Sequence, residues 1–298
     1  MDIKKWIGYE DMGRSMVYTF RDVVLCNLAF GHKGNDLPHL FSKRFDFRAN
    51  PAFALIPTFA GDHVIPRNCW PLPSKLIQLE QSGGDPDAPN GLDWDHDLYI
   101  YHPIEPIKGT FLWNNKVDHI YDRGEGKGVV ISNLGTLLDE AKRPIARNYT
   151  RTIMFAEGGF GGEPVPQCEV VFPQREPDYV ANDFISEQMN VLYTIVCGGQ
   201  SAIHIDEEYC KNVAHQKGIV VAGHLTLGNA CRMAMDQVIP GEDWRMTHLY
   251  AQFRNPLYPN THIQFRGWKI TDNKMYFQVV DTDDNDRIIL NKGIFEWK

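Results

Sequence analysis

No two of the six cysteines, at positions 26, 69, 168, 197, 210 and 231, have the two-residue spacing that a zinc ribbon or a thiol–disulfide motif requires. Free thiols are therefore expected. No stretch of about 18 apolar residues occurs, and the opening Met1-Asp2-Ile3-Lys4-Lys5 lacks an apolar signal core. The closing Phe295-Glu296-Trp297-Lys298 is not an S-K-L type address. These features predict a cytoplasmic protein with no membrane partner. Basic residues are also scarce, with 30 Lys and Arg against 38 Asp and Glu and a net charge of −8. A phosphate-backbone binder needs a basic face to release counterions, so nucleic acid is excluded as a general partner. The glycine run near the middle is not followed by Lys-Ser or Lys-Thr, which rules out a Walker loop. The acidic run Asp281 to Asp286 has Asp286 and Lys292 where a calcium loop needs glycine and glutamate. It reads as a solvated hairpin turn, and no metal site is predicted.

What is present is an ordinary globular composition: 298 residues, 43% hydrophobic and 12% aromatic. A chain of this size buries roughly three quarters of its unfolded surface, enough for one large core or two of about 150 residues. Glu157-Gly158-Gly159-Phe160-Gly161-Gly162-Glu163-Pro164-Val165-Pro166 frees the backbone and then stiffens it, so the boundary is placed there. The expected organisation is residues 1–157, a linker at 158–178, and residues 179–298. Three matches recur across it in one order: Val24-Leu25 and Gly31 with Val191-Leu192 and Gly198; Pro103 to Pro106 with Pro256 to Pro259; Arg143-x-Ile145 with Arg287-x-Ile289. Their offsets shrink in steps, as two diverged copies with loops of different length would show.

Each copy repeats one order of elements. A helix-like stretch comes first, Tyr18 to Phe30 and Phe184 to Val196, then a second apolar segment, Ala52 to Ile56 and Leu225 to Met235. Strand-like runs follow, clearest at His248 to Arg254, Ile263 to Ile270, Met275 to Val280 and Ile288 to Trp297. This is an α+β pattern. Trp94-Asp95-His96-Asp97 follows the long polar loop 81–91, which reads as a lid or a mobile connection. Cys197 has no base placed beside it by spacing and reads as a small core residue.

The richest segment runs from Leu192 through Cys197-Gly198-Gly199-Gln200-Ser201 to His204-Ile205-Asp206. A helix stopped by two glycines lets backbone approach a ligand, and a nearby imidazole can move a proton near neutral pH. The same residues also suit a plain helix stop with a structural histidine. Leu192-Tyr193, Gly198-Gly199, His204-x-Asp206 and Gly223-His224-Leu225-Thr226-Leu227-Gly228, with Phe253 to Thr261 and the glycine hinge, resemble the MaoC-like, type-2 enoyl-CoA hydratases. The resemblance covers nearly the whole chain and implies a double hot-dog fold, two tandem units each with a helix wrapped by a curled antiparallel sheet. It also implies an acyl-CoA thioester as substrate, no separate cofactor, an acyl tunnel shaped by the first unit, catalysis in the second, and further self-association as a homodimer. His204 matches the family's catalytic histidine, and Gly223 the glycine whose N–H polarises the thioester carbonyl. Substrate contacts are expected at Gly198, Gly199, Gln200, Ser201 and His224.

One departure stands out: the family's catalytic aspartate falls on Gly199. Asp206, Glu207, Glu208, His224 or His32 could enter the gap, His32 because the repeat aligns it with Gly199; Asp206 and His32 are taken as the auxiliary acid/base candidates. Alternatively a lone histidine with an oxyanion-binding amide serves a bulkier or more activated substrate. The expected activity is addition or removal of water beside an acyl-CoA thioester, in lipid metabolism. A double-bond isomerase and a silent acyl-CoA-binding module are the alternatives.

Overall fold

In a computed structural model the protein is described over residues 3–58, 77, 91–155, 158–197 and 202–298. The strands are β1 (Glu10–Thr19), β2 (Gly91–Ile100), β3 (Lys108–Asp122), β4 (Val129–Leu138), β5 (Pro144–Met154), β6 (Tyr179–Ile185), β7 (Met246–Phe253), β8 (Thr261–Thr271), β9 (Lys274–Asp281) and β10 (Arg287–Trp297). The helices are α1 (Ile3–Trp6), α2 (Phe20–Ala29), α3 (Leu37–Leu40), α4 (Glu187–Val196), α5 (Glu207–Asn212) and α6 (Gly223–Val238), with a 3-10 segment over Pro51–Thr58. All strands join one sheet in the order β1-β3-β4-β5-β2-β7-β10-β9-β8-β6. Five strands in the order 1-3-4-5-2 meet five in the mirror order, and the seam is the antiparallel pairing of β2 with β7, Asp95↔Gln252 to Tyr99↔His248.

The internal matches fall at equivalent places. Val24-Leu25 and Val191-Leu192 lie in α2 and α4, the proline pairs follow β2 and β7, and the Arg-x-Ile pairs open β5 and β10. Each unit also has a leading strand, β1 or β6, that apolar periodicity missed. β6 reads Tyr-Val-Ala-Asn-Asp-Phe-Ile and is an edge strand, so few of its residues carry the apolar signature of a buried strand. The helices start later than expected for the same reason: Tyr18 and Thr19 end β1, and Phe184 and Ile185 end β6. Thr19 then caps α2 in a reciprocal box with Asp22, and Ser186 caps α4 through the Met189 N–H.

Alternation along β9 points Met275, Phe277 and Val279 inward, where they are fully buried. The inner face of this unit's sheet packs on α6, whose Leu225, Leu227, Ala230, Cys231 and Ala234 are all sealed from solvent. In the first unit the corresponding place is held by the 3-10 segment Pro51–Thr58, packed on β3, β4 and β5. Gly228 lets the units interlock, because a methyl group there would lie 2.3 Å from the Phe30 ring. At the end of α2, the Phe30 carbonyl accepts from Asn229 (3.2 Å) and Arg232 (3.0 Å) of α6. Among the described residues the cysteines are free, and burial pushes the Cys197 thiol up to about 12, which suits a core side chain. Cys69 lies outside the described residues.

Residues 158–178 form neither helix nor strand. Asp122 gathers the glycine run by accepting from the Gly159 (2.8 Å) and Gly161 (2.7 Å) N–H groups. The chain then crosses to the second unit, where the Cys168 carbonyl accepts from Lys292 and the Arg175 carbonyl from Trp268.

A buried ionic cluster also ties the units together. His39 Nδ1 contacts Asp36 (2.8 Å), and its Nε2 contacts Asp243 beyond α6 at 2.5 Å. Two carboxylates on one ring favour the imidazolium, and although burial opposes its charge they raise its pKa to about 9. His32, stacked on it at 3.9 Å, goes the other way, down to about 4, mainly through burial. Because the folded value for His39 lies above its ordinary 6.5, this stabilisation is complete below pH 6.5 and is lost as pH rises toward 9. His39→Gln is expected to lower unfolding free energy by about 3 kcal/mol in mildly acidic buffer, since it leaves Asp243 buried without its partner. Urea melts across the pH range should show the wild-type decline flattened in the variant.

Candidate functional site

His204 ends a 3-10 turn, Ala202–His204. Its Nδ1 lies 2.9 Å from the Val220 carbonyl. A carbonyl only accepts, so Nδ1 carries the proton and Nε2 is the basic nitrogen of the neutral ring. The Val220 N–H in turn donates to the Ile203 carbonyl (3.0 Å). Asn190 of α4, 2% exposed, locks these pieces. Its Nδ2 donates to the His204 carbonyl (2.6 Å) and its Oδ1 accepts from the Ala222 N–H (3.1 Å). Three residues separate Val220 from Gly223, a reach of at most about 10 Å. The structure thus ties His204 to the segment that leads into Gly223.

Gly223 is the first residue of α6, and Ala222 before it supplies no side-chain cap. The first amides of a helix have no intrahelical acceptor and carry its positive dipole end, so a carbonyl placed there is polarised. A methyl group on Gly223 would stand 3.0 Å from the Phe253 ring and 3.3 Å from Asp93 Oδ2. Asp93 reaches this point from the first unit, on β2. His224 beside it is buried, with its ring 4.3 Å from that of His96, also on β2. Asp93, His96 and His224 present polar atoms within 4.8 Å of one another. Asn148 donates to His96 Nδ1 (3.1 Å), so a neutral His96 keeps its proton on Nε2. Burial lowers the pKa of His96 and keeps it neutral.

Sequence reasoning missed Asp93 and His96 for a definite reason. Strict alternation along a strand would put Asp93 with Asp95 and Asp97, on the face opposite His96. The pairing of β2 with β5 shifts register between Asp93↔Thr152 and Asp95↔Arg151. This bulge admits one extra residue and turns Asp93 to the His96 side. Trp94 to Asp97 lie in a central strand, and residues 81–90 of the loop expected as a lid or mobile connection lie outside the described residues.

Other expected residues fare differently. Gly198, Gly199, Gln200 and Ser201 lie outside the described residues. Asp206 is exposed and spends its carboxylate as the cap of α5, accepting from the Tyr209 N–H at 2.9 Å. Glu207 pairs with Lys211 along the same helix. His32 is buried at the end of α2, on Asp36 (2.6 Å) and Asn50 (3.2 Å). With Asp36 and His39 it forms a second group of polar atoms within 4.8 Å, so the fold assembles two His/Asp groups with the spacing of a cation site that no sequence motif announced.

Two five-stranded units of one topology, each packed on a central helical segment and joined edge to edge, define a double hot-dog protein. Residues 170–291 match the MaoC-like domain family, in the part of the chain that carries most of the motifs behind the resemblance. The chain is 25% identical over 296 residues to a Dictyostelium discoideum protein named probable enoyl-CoA hydratase 2, spanning 99% of this chain and 96% of that one. It is 27% identical over 277 residues to peroxisomal multifunctional enzyme type 2 of Drosophila melanogaster, covering 91% of this chain but only 45% of that longer protein. The crystal structure of a MaoC-like dehydratase from Phytophthora capsici has the same fold, with TM-score 0.83 at 23% identity over 99% of this chain and 97% of its own. Among the described residues no helix is long and apolar enough to cross a membrane.

Asn190→Ala would remove the hydrogen bonds that Asn190 gives to the His204 carbonyl and takes from the buried Ala222 N–H. It is expected to lower stability by about 2 kcal/mol in denaturant titration, and a change below about 0.5 kcal/mol would show the clamp to be idle.

Proposed function

We propose that this protein is a hydro-lyase that adds water to a 2-enoyl-CoA thioester, or removes it from a 3-hydroxyacyl-CoA. The observation that carries the reading is the tie between His204 and the Val220 carbonyl, which leaves Nε2 as the basic imidazole nitrogen and bonds its turn to the segment that leads into the uncapped start of α6. The relative named probable enoyl-CoA hydratase 2, matched along nearly its whole length, supports the same reaction class. The Gly223 N–H holds the thioester oxygen, and charge that develops on that oxygen as an enolate is stabilised by the helix start. His204 Nε2 exchanges a proton with water and the α-carbon. No step needs a group beyond the substrate and these residues, so no resident cofactor is invoked.

In this reading residues 179–298 carry the histidine and the amide, residues 1–157 shape the acyl tunnel, and 158–178 link them. Gly198, Gly199, Gln200, Ser201 and His224 contact the substrate. A cytoplasmic location and a homodimer belong to the same proposal; size-exclusion chromatography with light scattering tests the dimer.

The direct test is a panel of 2-enoyl and 3-hydroxyacyl thioesters read by mass spectrometry for a change of one water. His204→Ala is expected to cut kcat by at least about a hundredfold while affinity for a saturated acyl-CoA stays within about threefold. Unchanged turnover in the variant would sink the role of His204. Binding without any turnover by the wild type would favour a silent binding module, and exchange with deuterated water without gain or loss of water would favour an isomerase.

A further inference from the structure

Building on the hydro-lyase reading, we propose that Asp93 is the carboxylate of the reaction, delivered to the second unit's site by the first unit. Its Oδ2 stands 3.3 Å from where a side chain on Gly223 would begin, close to the residue whose amide is assigned to the thioester carbonyl. His96 and His224 bring ring nitrogens within 4.8 Å of its carboxylate. Position 199, five residues before His204 in the sequence, is glycine and brings no carboxylate of its own.

The chemistry then balances without an external acid. One O–H of the attacking water is accepted by Asp93, which aims the oxygen lone pair at the β-carbon. His204 Nε2 takes the other proton as the C–O bond forms and the C=C electron pair moves onto the thioester as an enolate held by Gly223. The imidazolium returns that proton to the α-carbon, and the Asp93 charge stabilises it meanwhile. Net change is one water added, and both side chains end as they began.

The test uses the full chain, with Asp93→Asn as a variant of nearly equal shape. Expected results are a loss in kcat of at least about a hundredfold, little change in affinity for a saturated acyl-CoA, an unchanged melting midpoint, and partial recovery in Asp93→Glu. A merely structural Asp93 would instead lower the melting midpoint and spare kcat, and that result overturns the proposal. Loss of wild-type activity on chelation, restored by added divalent metal, would also overturn it in favour of a cation on Asp93, His96 and His224. A wild type inactive on every enoyl and hydroxyacyl thioester removes the hydro-lyase reading itself, an outcome distinct from an active wild type matched by an active Asp93→Asn.

An independent observation bears on the acyl group. Strand register places Asn133, Thr150 and His96 in one row and Asn115, Asn148 and Leu98 in the next, all on the inner face of the first unit. Asn133 is 0% exposed, yet neither Nδ2 nor Oδ1 has a hydrogen-bond partner, and buried Asn148 Oδ1 and Trp113 Nε1 have none. Leaving such groups unpaired costs about 1–3 kcal/mol each, so this face suits a ligand that brings hydrogen bonds. A small cavity borders Trp113, Asn115 and Asn148 against Ala54. We infer that the acyl group, running from the site into the first unit, carries a neutral oxygen function such as a hydroxyl or ketone and is not a plain alkyl chain.

Calorimetric binding of hexanoyl-CoA against a set of hydroxyhexanoyl-CoAs differing in hydroxyl position tests this without requiring turnover. At least one hydroxylated ligand should bind about tenfold tighter than hexanoyl-CoA, and Asn133→Leu should erase that preference. Plain hexanoyl-CoA binding as well as every hydroxylated ligand would overturn the inference, leaving the asparagines as hydration sites. Failure of all the thioesters to bind would instead overturn the acyl-CoA reading on which it rests.

Discussion

The antiparallel seam between β2 and β7 is the constraint on which the rest of the structure depends. Its register from Asp95↔Gln252 to Tyr99↔His248 turns two five-stranded units into one sheet and leaves no exposed edge between them. It also sets the start of β2 against the start of α6, so that residues about 130 positions apart meet at Gly223. The outer face of the seam is polar as well. Arg151 lies 2.7 Å from Asp95, and the Tyr250 hydroxyl donates to the same carboxylate at 3.0 Å. Burial outweighs both partners and moves the Asp95 carboxyl up to about 6.

Duplication gave each unit a turn after its first helix, and the two turns have diverged in opposite electrostatic directions. The first, around His32, Asp36 and His39, holds a charged imidazolium between carboxylates and reaches Asp243 of the other unit. Its groups are committed to one another, as a structural tie would be. In the second, His204 contacts a neutral carbonyl, and the chain leads into an uncapped helix start. That arrangement preserves a basic nitrogen and a polarising amide, which is what thioester chemistry requires.

Asn190 and Gly223 show how a site of this kind is kept in place. The amide of Asn190 satisfies a carbonyl on one side and an N–H on the other, so the His204 turn and the approach to α6 move as one piece. Gly223 has no side chain because Phe253 and Asp93 already occupy the space that one would need. Even a methyl group there would press on the Phe253 ring and on Asp93 where the two units converge.

Composition, periodicity and motif order were enough to read the α+β class, the duplication and the strands of the second unit, and they singled out His204 and Gly223 as site candidates. Those features are local, or are repeated at a fixed order along the chain, and local order is what a sequence records directly. The leading edge strands were hidden because half-exposed strands carry little apolar signal. Asp206 looked available beside His204 until helix capping claimed it. Asp93 and His96 were invisible as a pair, because one bulge in β2 reverses a side-chain direction that strict alternation would fix, and because their partners belong to the other unit. The sequence by itself determined which elements form and which residue types the chemistry has at hand. Only the tertiary structure decided which carboxylate lies beside Gly223, since that depends on pairing register across a seam between distant segments.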